Sequence, residues 1–307
     1  METLPDMIAA LLLSLLAQSS SDAVDASGFR FPTTRPQTIQ RQAEAPRTIG
    51  IRPAPAEQDR LVTCLDQANS DPSGAALTAN GWILEASGSE RASAGQCLGM
   101  AYSRQAKWQA AEDAFLAART DTPADNPTGR ARLAAMAGNS ALADARYENA
   151  LADLDMAAFD AANAKEVQLG GEIEIDRARA LVALGRGGEG GAALEKARRD
   201  APRDSDAWLL SATLARRDGD LTTAQSYIST AAGLAPTDPQ IGLEAGVIAA
   251  LSGKDDAARK SFQSVVLLSP GTPEAGTAKT YLAQLGPAPT DTPADTEADA
   301  ATKDSTR

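Results

Sequence analysis

Residues 205–272 repeat themselves. Laid over residues 239–272, residues 205–238 place Gly219 on Gly253, Ala224 on Ala258, Ala231 on Val265 and Pro236 on Pro270, each 34 positions apart. A period of this length constrains the fold more than any other feature of the chain. One such unit cannot bury its apolar face alone, so the units must stack.

Each unit divides into two amphipathic stretches. In the first copy Trp208, Leu210, Leu214 and Ala215 recur at helical spacing, and Asp218-Gly219-Asp220 interrupts them. Ala224, Tyr227, Ile228 and Ala231 resume the pattern before Pro236 ends it. The result is an antiparallel helix pair. Alanines at the crossing let the two backbones approach, and a larger residue four positions on fills the space behind them.

Earlier units share these landmarks. Residues 171–204 end in Pro202, residues 131–164 carry Ala137-Gly138, Tyr147, Ala150, Leu154 and Ala157, and residues 92–125 carry Leu98-Gly99, Tyr102, Ala111, Phe115 and Pro123. Ala111 and Ala150 are 39 apart, and Ala150 and Gly190 are 40 apart. Two insertions account for the wider spacing, at 126–130 and 165–170, and both are predicted to sit in turns between units.

The helix–turn–helix unit, its period and its terminal proline resemble the tetratricopeptide repeat, over residues 57–285. The resemblance implies an all-α, right-handed α-solenoid: an irregular cap (57–91), five repeats near 92–125, 131–164, 171–204, 205–238 and 239–272, and a closing helix (273–285). In the cap the spacing predicts a first helix stopped at Asp71-Pro72 and a second started by Ser73, with Leu77, Trp82 and Ile83 as its apolar residues.

Outside these units the composition changes. Residues 7–17, MIAALLLSLLA, have the length of a signal-peptide core and are too short to span a bilayer. Small residues at Ala17 and Ser19, or at Ser21 and Ala23, suit a signal peptidase, although Glu2 and Asp6 stand where positive charge is usual. The expectation for 1–23 is export to a bacterial periplasm or envelope; left uncleaved, the same run would anchor an envelope-assembly or secretion accessory factor in the membrane. Residues 24–56 read as a disordered linker rich in proline and arginine, and 286–307 as a disordered tail.

Chemistry has little to work with. The chain has no histidine, which removes the usual general base and the commonest metal ligand. Glu172, Glu174 and Asp176 form the densest carboxylate cluster and read as a solvated face at a helix start. Gly185, Gly187, Gly188, Gly190 and Gly191 lack the lysine and the preceding strand of a phosphate loop, so no cofactor is expected. Those glycines should instead weaken the start of their helix, and alanine at 190, where other units have Ala111, Ala150, Ala224 and Ala258, is expected to stabilise it. A net charge of −12 disfavours nucleic acid.

A protein or peptide partner is therefore what the resemblance implies, held in the concave groove by positions 2, 5, 9 and 12 of each first helix. In this chain these are Ser93, Gln96, Met100 and Ser103; Arg132, Ala135, Asn139 and Leu142; Glu172, Ile175, Arg179 and Val182; Asp206, Leu209, Thr213 and Arg216; and Gln240, Leu243, Val247 and Ala250. Asn139 matches the family's carboxylate clamp, whereas Ala135 stands where its lysine should be. Arg179, Arg216 and Arg217 are expected to form a basic strip for an acidic partner, its stems packed on Val182 and Leu209. Cys64 and Cys97, both within helical patterns, leave two readings open: buried thiols, or a disulfide pinning the cap to the first repeat.

Overall fold

The structure, a computed structural model, describes residues 56–286; the expected export segment, the linker up to residue 55 and the tail from residue 287 lie outside the described residues. Thirteen helices and no strands occur among them. Helices α1 (Ala56–Ser70) and α2 (Pro72–Glu85) open the array. Five pairs follow: α3 (Gly88–Arg104) with α4 (Trp108–Asp121), α5 (Pro127–Ala143) with α6 (Tyr147–Ala164), α7 (Val167–Ala183) with α8 (Gly187–Asp200), α9 (Ser205–Arg217) with α10 (Leu221–Leu234), and α11 (Pro239–Leu251) with α12 (Asp255–Leu268). Helix α13 (Pro273–Leu285) closes it.

Each second helix packs on its own first helix and on the first helix of the next pair. A row of large side chains, Phe115, Leu154, Leu194, Ile228 and Phe262, fills the middle of the five pairs. Alanines at 111, 150, 224 and 258 are fully buried one turn earlier on the same helices. The 34-residue period has therefore produced one continuous core, as stacking demands.

Two local expectations are corrected. Asp71, not Ser73, caps α2: its carboxylate accepts the Gly74 N–H, and Pro72, having no N–H to satisfy, takes the first helical position. The insertions at 126–130 and 165–170 do not lie in loops. Asn126 accepts the Gly129 N–H as an N-cap, so α5 begins at Pro127; Lys165 and Glu166 make the turn and α7 begins at Val167. The inserted residues add about a turn to each first helix, giving 17 residues in α5 and α7 against 13 in α9 and α11. A whole extra turn preserves the buried face, which is why the core tolerates it.

Helix α2 departs from its apolar pattern in another way. Trp82 is fully buried and donates its indole N–H to Glu90, while Leu77 is 77% exposed. Arg60 lies over the Trp82 ring and also reaches Glu90, fixing the cap by a polar as well as an apolar contact.

Candidate functional site

The first helices form a row of their own. Helices α5, α7, α9, α11 and α13 touch in succession, whereas among the described residues no two second helices come into comparable contact. The array therefore bends with its first helices inside, and their exposed side chains share one face.

The structure opens that face unevenly. Arg132 and Asn139 are exposed, seven residues apart on α5 and hence on one side of it. Neither makes an ion pair or a side-chain hydrogen bond to another described residue. Gln96 and Met100 on α3 and Ala135 on α5 are half-buried beside them. Leu142, Ile175, Leu209 and Val247 turn into the core instead and leave the expected groove set. Their helices are packed on both sides by second helices, so a branched apolar chain gains more by burial than by lining the surface.

The expected basic strip is corrected more sharply. Arg179 bonds Asp176 on its own helix and donates at 3.2 Å to Asp206 on the next first helix. Arg216 donates to both carboxylate oxygens of Glu244, at 2.6 and 3.3 Å, again on the next first helix. Both guanidinium groups are thus neutralised within the molecule, and they tie α7 to α9 and α9 to α11. Burial works against the charge of Arg179, but the carboxylates of Asp176 and Asp206 outweigh it and raise its pKa. Val182, Arg179 and the exposed Arg217 do come together around a pocket, but its free volume of about 10 Å³ accommodates no more than a water molecule.

The carboxylate cluster is corrected too. Helix α7 starts earlier than the sequence suggested, which turns Glu174 inward, where it accepts from Arg177 at 2.6 Å and stands 3.8 Å from Lys196. Glu172 accepts from Gln168, and Asp176 belongs to Arg179.

Sequence reasoning missed a buried charged layer between the first two repeats. Glu112 on α4 and Asp153 and Asp160 on α6 are all buried. Arg119 of α4 grips Asp160 with two nitrogens at 2.8 and 2.7 Å, and Arg130 approaches it from α5. Arg146, the N-cap residue of α6, bonds Glu112 and Asp144. The signal was present: Ala150, Asp153, Ala157 and Asp160 follow one helical stripe, with two acids placed where alanines are buried.

Cys64 on α1 and Cys97 on α3 are joined by a disulfide with their Cα atoms 6.0 Å apart, which ties the opening helices to the first full repeat.

Paired helices, a common inner row and a continuous core define an α-solenoid. The particular solenoid is the tetratricopeptide-repeat (TPR) fold. PilF of Pseudomonas aeruginosa superimposes with a TM-score of 0.56 at 15% identity, over 74% of this chain and 99% of that one. TTC0263, a thermophilic TPR protein of Thermus thermophilus, gives 0.51 at 17%, over 62% and 99%. The quorum sensor NprR of B. thuringiensis, in its apo form, gives 0.57 at 12%, over 75% and 68%. At these identities the likeness is one of fold. No protein-family model matches the sequence, and no curated protein matches it.

Proposed function

We propose that this chain is a non-enzymatic scaffold that holds a protein or peptide segment along its first-helix face, centred on the second repeat. The observation that carries this reading is the free pair Arg132 and Asn139 on α5, set among expected groove positions that are otherwise half-buried, buried or internally paired. An arginine and an amide on one helix face offer donors to a carboxylate and a complementary pair to a peptide bond, the chemistry of segment recognition. The lack of histidine supports a binding role over a catalytic one.

The working place of the scaffold is the bacterial periplasm or cell envelope, a reading supported by the apolar run 7–17 and the small residues after it. In a second version the run stays uncleaved and holds the protein at the membrane. Sequencing the amino terminus of the mature protein separates the two.

The binding reading is tested by placing a photo-crosslinking amino acid at Asn139 and, as control, at Glu148, an exposed residue of the second helix α6. A defined adduct from 139 and none from 148 is expected in envelope extract. Adducts from 148 alone would move the partner to the outer face.

A further inference from the structure

Between the first two repeats three buried acids, Glu112, Asp153 and Asp160, meet three arginines, Arg119, Arg130 and Arg146, but the pairing is uneven. Arg146 is taken by Glu112 and Asp144, and Arg119 and Arg130 by Asp160. Asp153 is left over. It is 5% exposed and its Oδ2 has no hydrogen-bond partner among the described residues. A buried carboxylate without a cation is costly enough that the group takes up a proton instead.

The neighbouring elements do not relieve it. Helix α4 faces Asp153 with Glu112 and, further along, Arg119, whose fork is closed on Asp160. Helix α5 supplies Arg130, directed at Asp160, and Ser140, whose hydroxyl donates to its own helix at Met136. Helix α7 supplies Glu174 and Arg177, and Arg177 bonds Glu174 and Asp155 on the outer side of α6. Glu112 is the acid that bears most on Asp153, and its negative charge adds to the cost of ionising it.

We propose that Asp153 is a one-proton switch: its neutral form is tolerated in the buried junction, and loss of the proton leaves an unpaired carboxylate near Glu112 and loosens the junction between repeats one and two. The repulsion falls on α5, which lies between those helices and packs on both. The switch is therefore built under the helix that carries Arg132 and Asn139, although the titration itself does not depend on any partner binding there.

The physics sets the direction. Burial, then the charge of Glu112, pushes the Asp153 carboxyl up to about 7, while Arg146 and Arg119 oppose the shift. Once the junction opens, the carboxyl returns to an ordinary value of ~4, so the closed form holds a proton that the open form releases. The stabilisation is complete below ~4, falls through the interval up to ~7 and does not fall further above it.

The measurement is hydrogen exchange of the full-length oxidised protein from about pH 5 to about pH 8, with peptides from α4 and α6 read against α12 as an internal reference. One linked proton raises the opening constant of α4 and α6 by up to ~10-fold per pH unit below the folded pKa, with a plateau above it. Asp153→Asn, which keeps the shape and cannot ionise, should flatten that dependence. A wild-type to Asp153→Asn ratio that stays constant across the range would overturn the switch. Should the variant not fold, the carboxyl carbon of Asp153 in the wild-type protein is followed by nuclear magnetic resonance. A midpoint near neutrality is the expected result, and titration complete below about pH 5 would overturn the proposal.

Discussion

Gly246 stands against Phe262 so closely that a Cβ at 246 would lie 2.2 Å from one ring carbon and 2.5 Å from the next. The glycine exists to admit the ring. The same two positions hold Gly99 against Phe115 and Gly138 against Leu154, while Ala212 and Ala178 stand at this position beside Ile228 and Leu194. Gly246→Ala gains up to ~1 kcal/mol of helix propensity, but forcing a methyl into a packed ring costs ~1–3 kcal/mol. Because Phe262 is itself fully buried and cannot swing out, overpacking should win. The expected outcome is a lowered thermal midpoint for Gly246→Ala, and a higher one would mean that the ring is free to move.

The turn between paired helices makes the opposite use of glycine. Gly185, Gly219 and Gly253 have φ of 75°, 82° and 69°, and the corresponding residues of the first two repeats are alanines, Ala106 at 53° and Ala145 at 54°. A left-handed backbone costs an L-residue with a Cβ ~1–2 kcal/mol, so these alanines are strained where their counterparts are not. Ala106→Gly and Ala145→Gly should each stabilise the protein by roughly 1 kcal/mol, less the entropy glycine adds to the unfolded chain. Gly219→Ala should lose a similar amount. Chemical denaturation of the three variants checks the signs together.

These two glycine roles show how far the sequence could be read. The period of 34 exposed the landmarks Gly219 and Gly253, since a shared turn conformation and a shared residue coincide there. Ala106 and Ala145 adopt the same conformation without the residue that signals it, so no pattern marked their strain. The inserted residues were counted correctly and placed wrongly, because a turn added to a helix leaves its apolar spacing intact. At the candidate face, Arg132 and Asn139 were legible from register alone. The neutralisation of Arg179 and Arg216 was not: their acids, Asp206 and Glu244, lie on the following repeat and are two among 41 carboxylates in the chain.

Glycines at the start of α8 separate propensity from packing. Gly187 and Gly188 have nothing within 4 Å of an added Cβ, and Gly191 would meet Leu214 at an ordinary 3.6 Å. Gly190 is different: its Cβ would lie 2.8 Å from a methyl of Val182, a branched side chain held at a packed crossing. The register that pairs 190 with Ala111 and Ala150 therefore misleads, and alanine there is no longer expected to stabilise. Gly191→Ala should gain up to ~1 kcal/mol, while Gly190→Ala should be neutral or destabilising. Equal stabilisation by both would show that Val182 yields easily.

Arg216 and Glu244 allow stability and recognition to be told apart. Their side chains are 12% and 13% exposed, between the surface pairs that contribute below ~1 kcal/mol and the buried pairs whose disruption costs ~3–5 kcal/mol. Arg216→Ala strands a half-buried carboxylate, so a loss of roughly 2 kcal/mol is expected, and the doubly substituted Arg216→Ala/Glu244→Ala protein should recover part of it. Arg132→Ala breaks no ion pair among the described residues and should leave stability within ~0.5 kcal/mol of wild type. A crosslinked or purified partner should respond the other way round. Truncating Arg132 should weaken binding by about tenfold or more if it packs at the centre of the interface, and truncating Arg216 should change binding little at a temperature where both variants are folded. If instead Arg216→Ala abolishes binding while the double variant restores stability but not affinity, Arg216 itself meets the partner, and the recognition face extends to the fourth repeat.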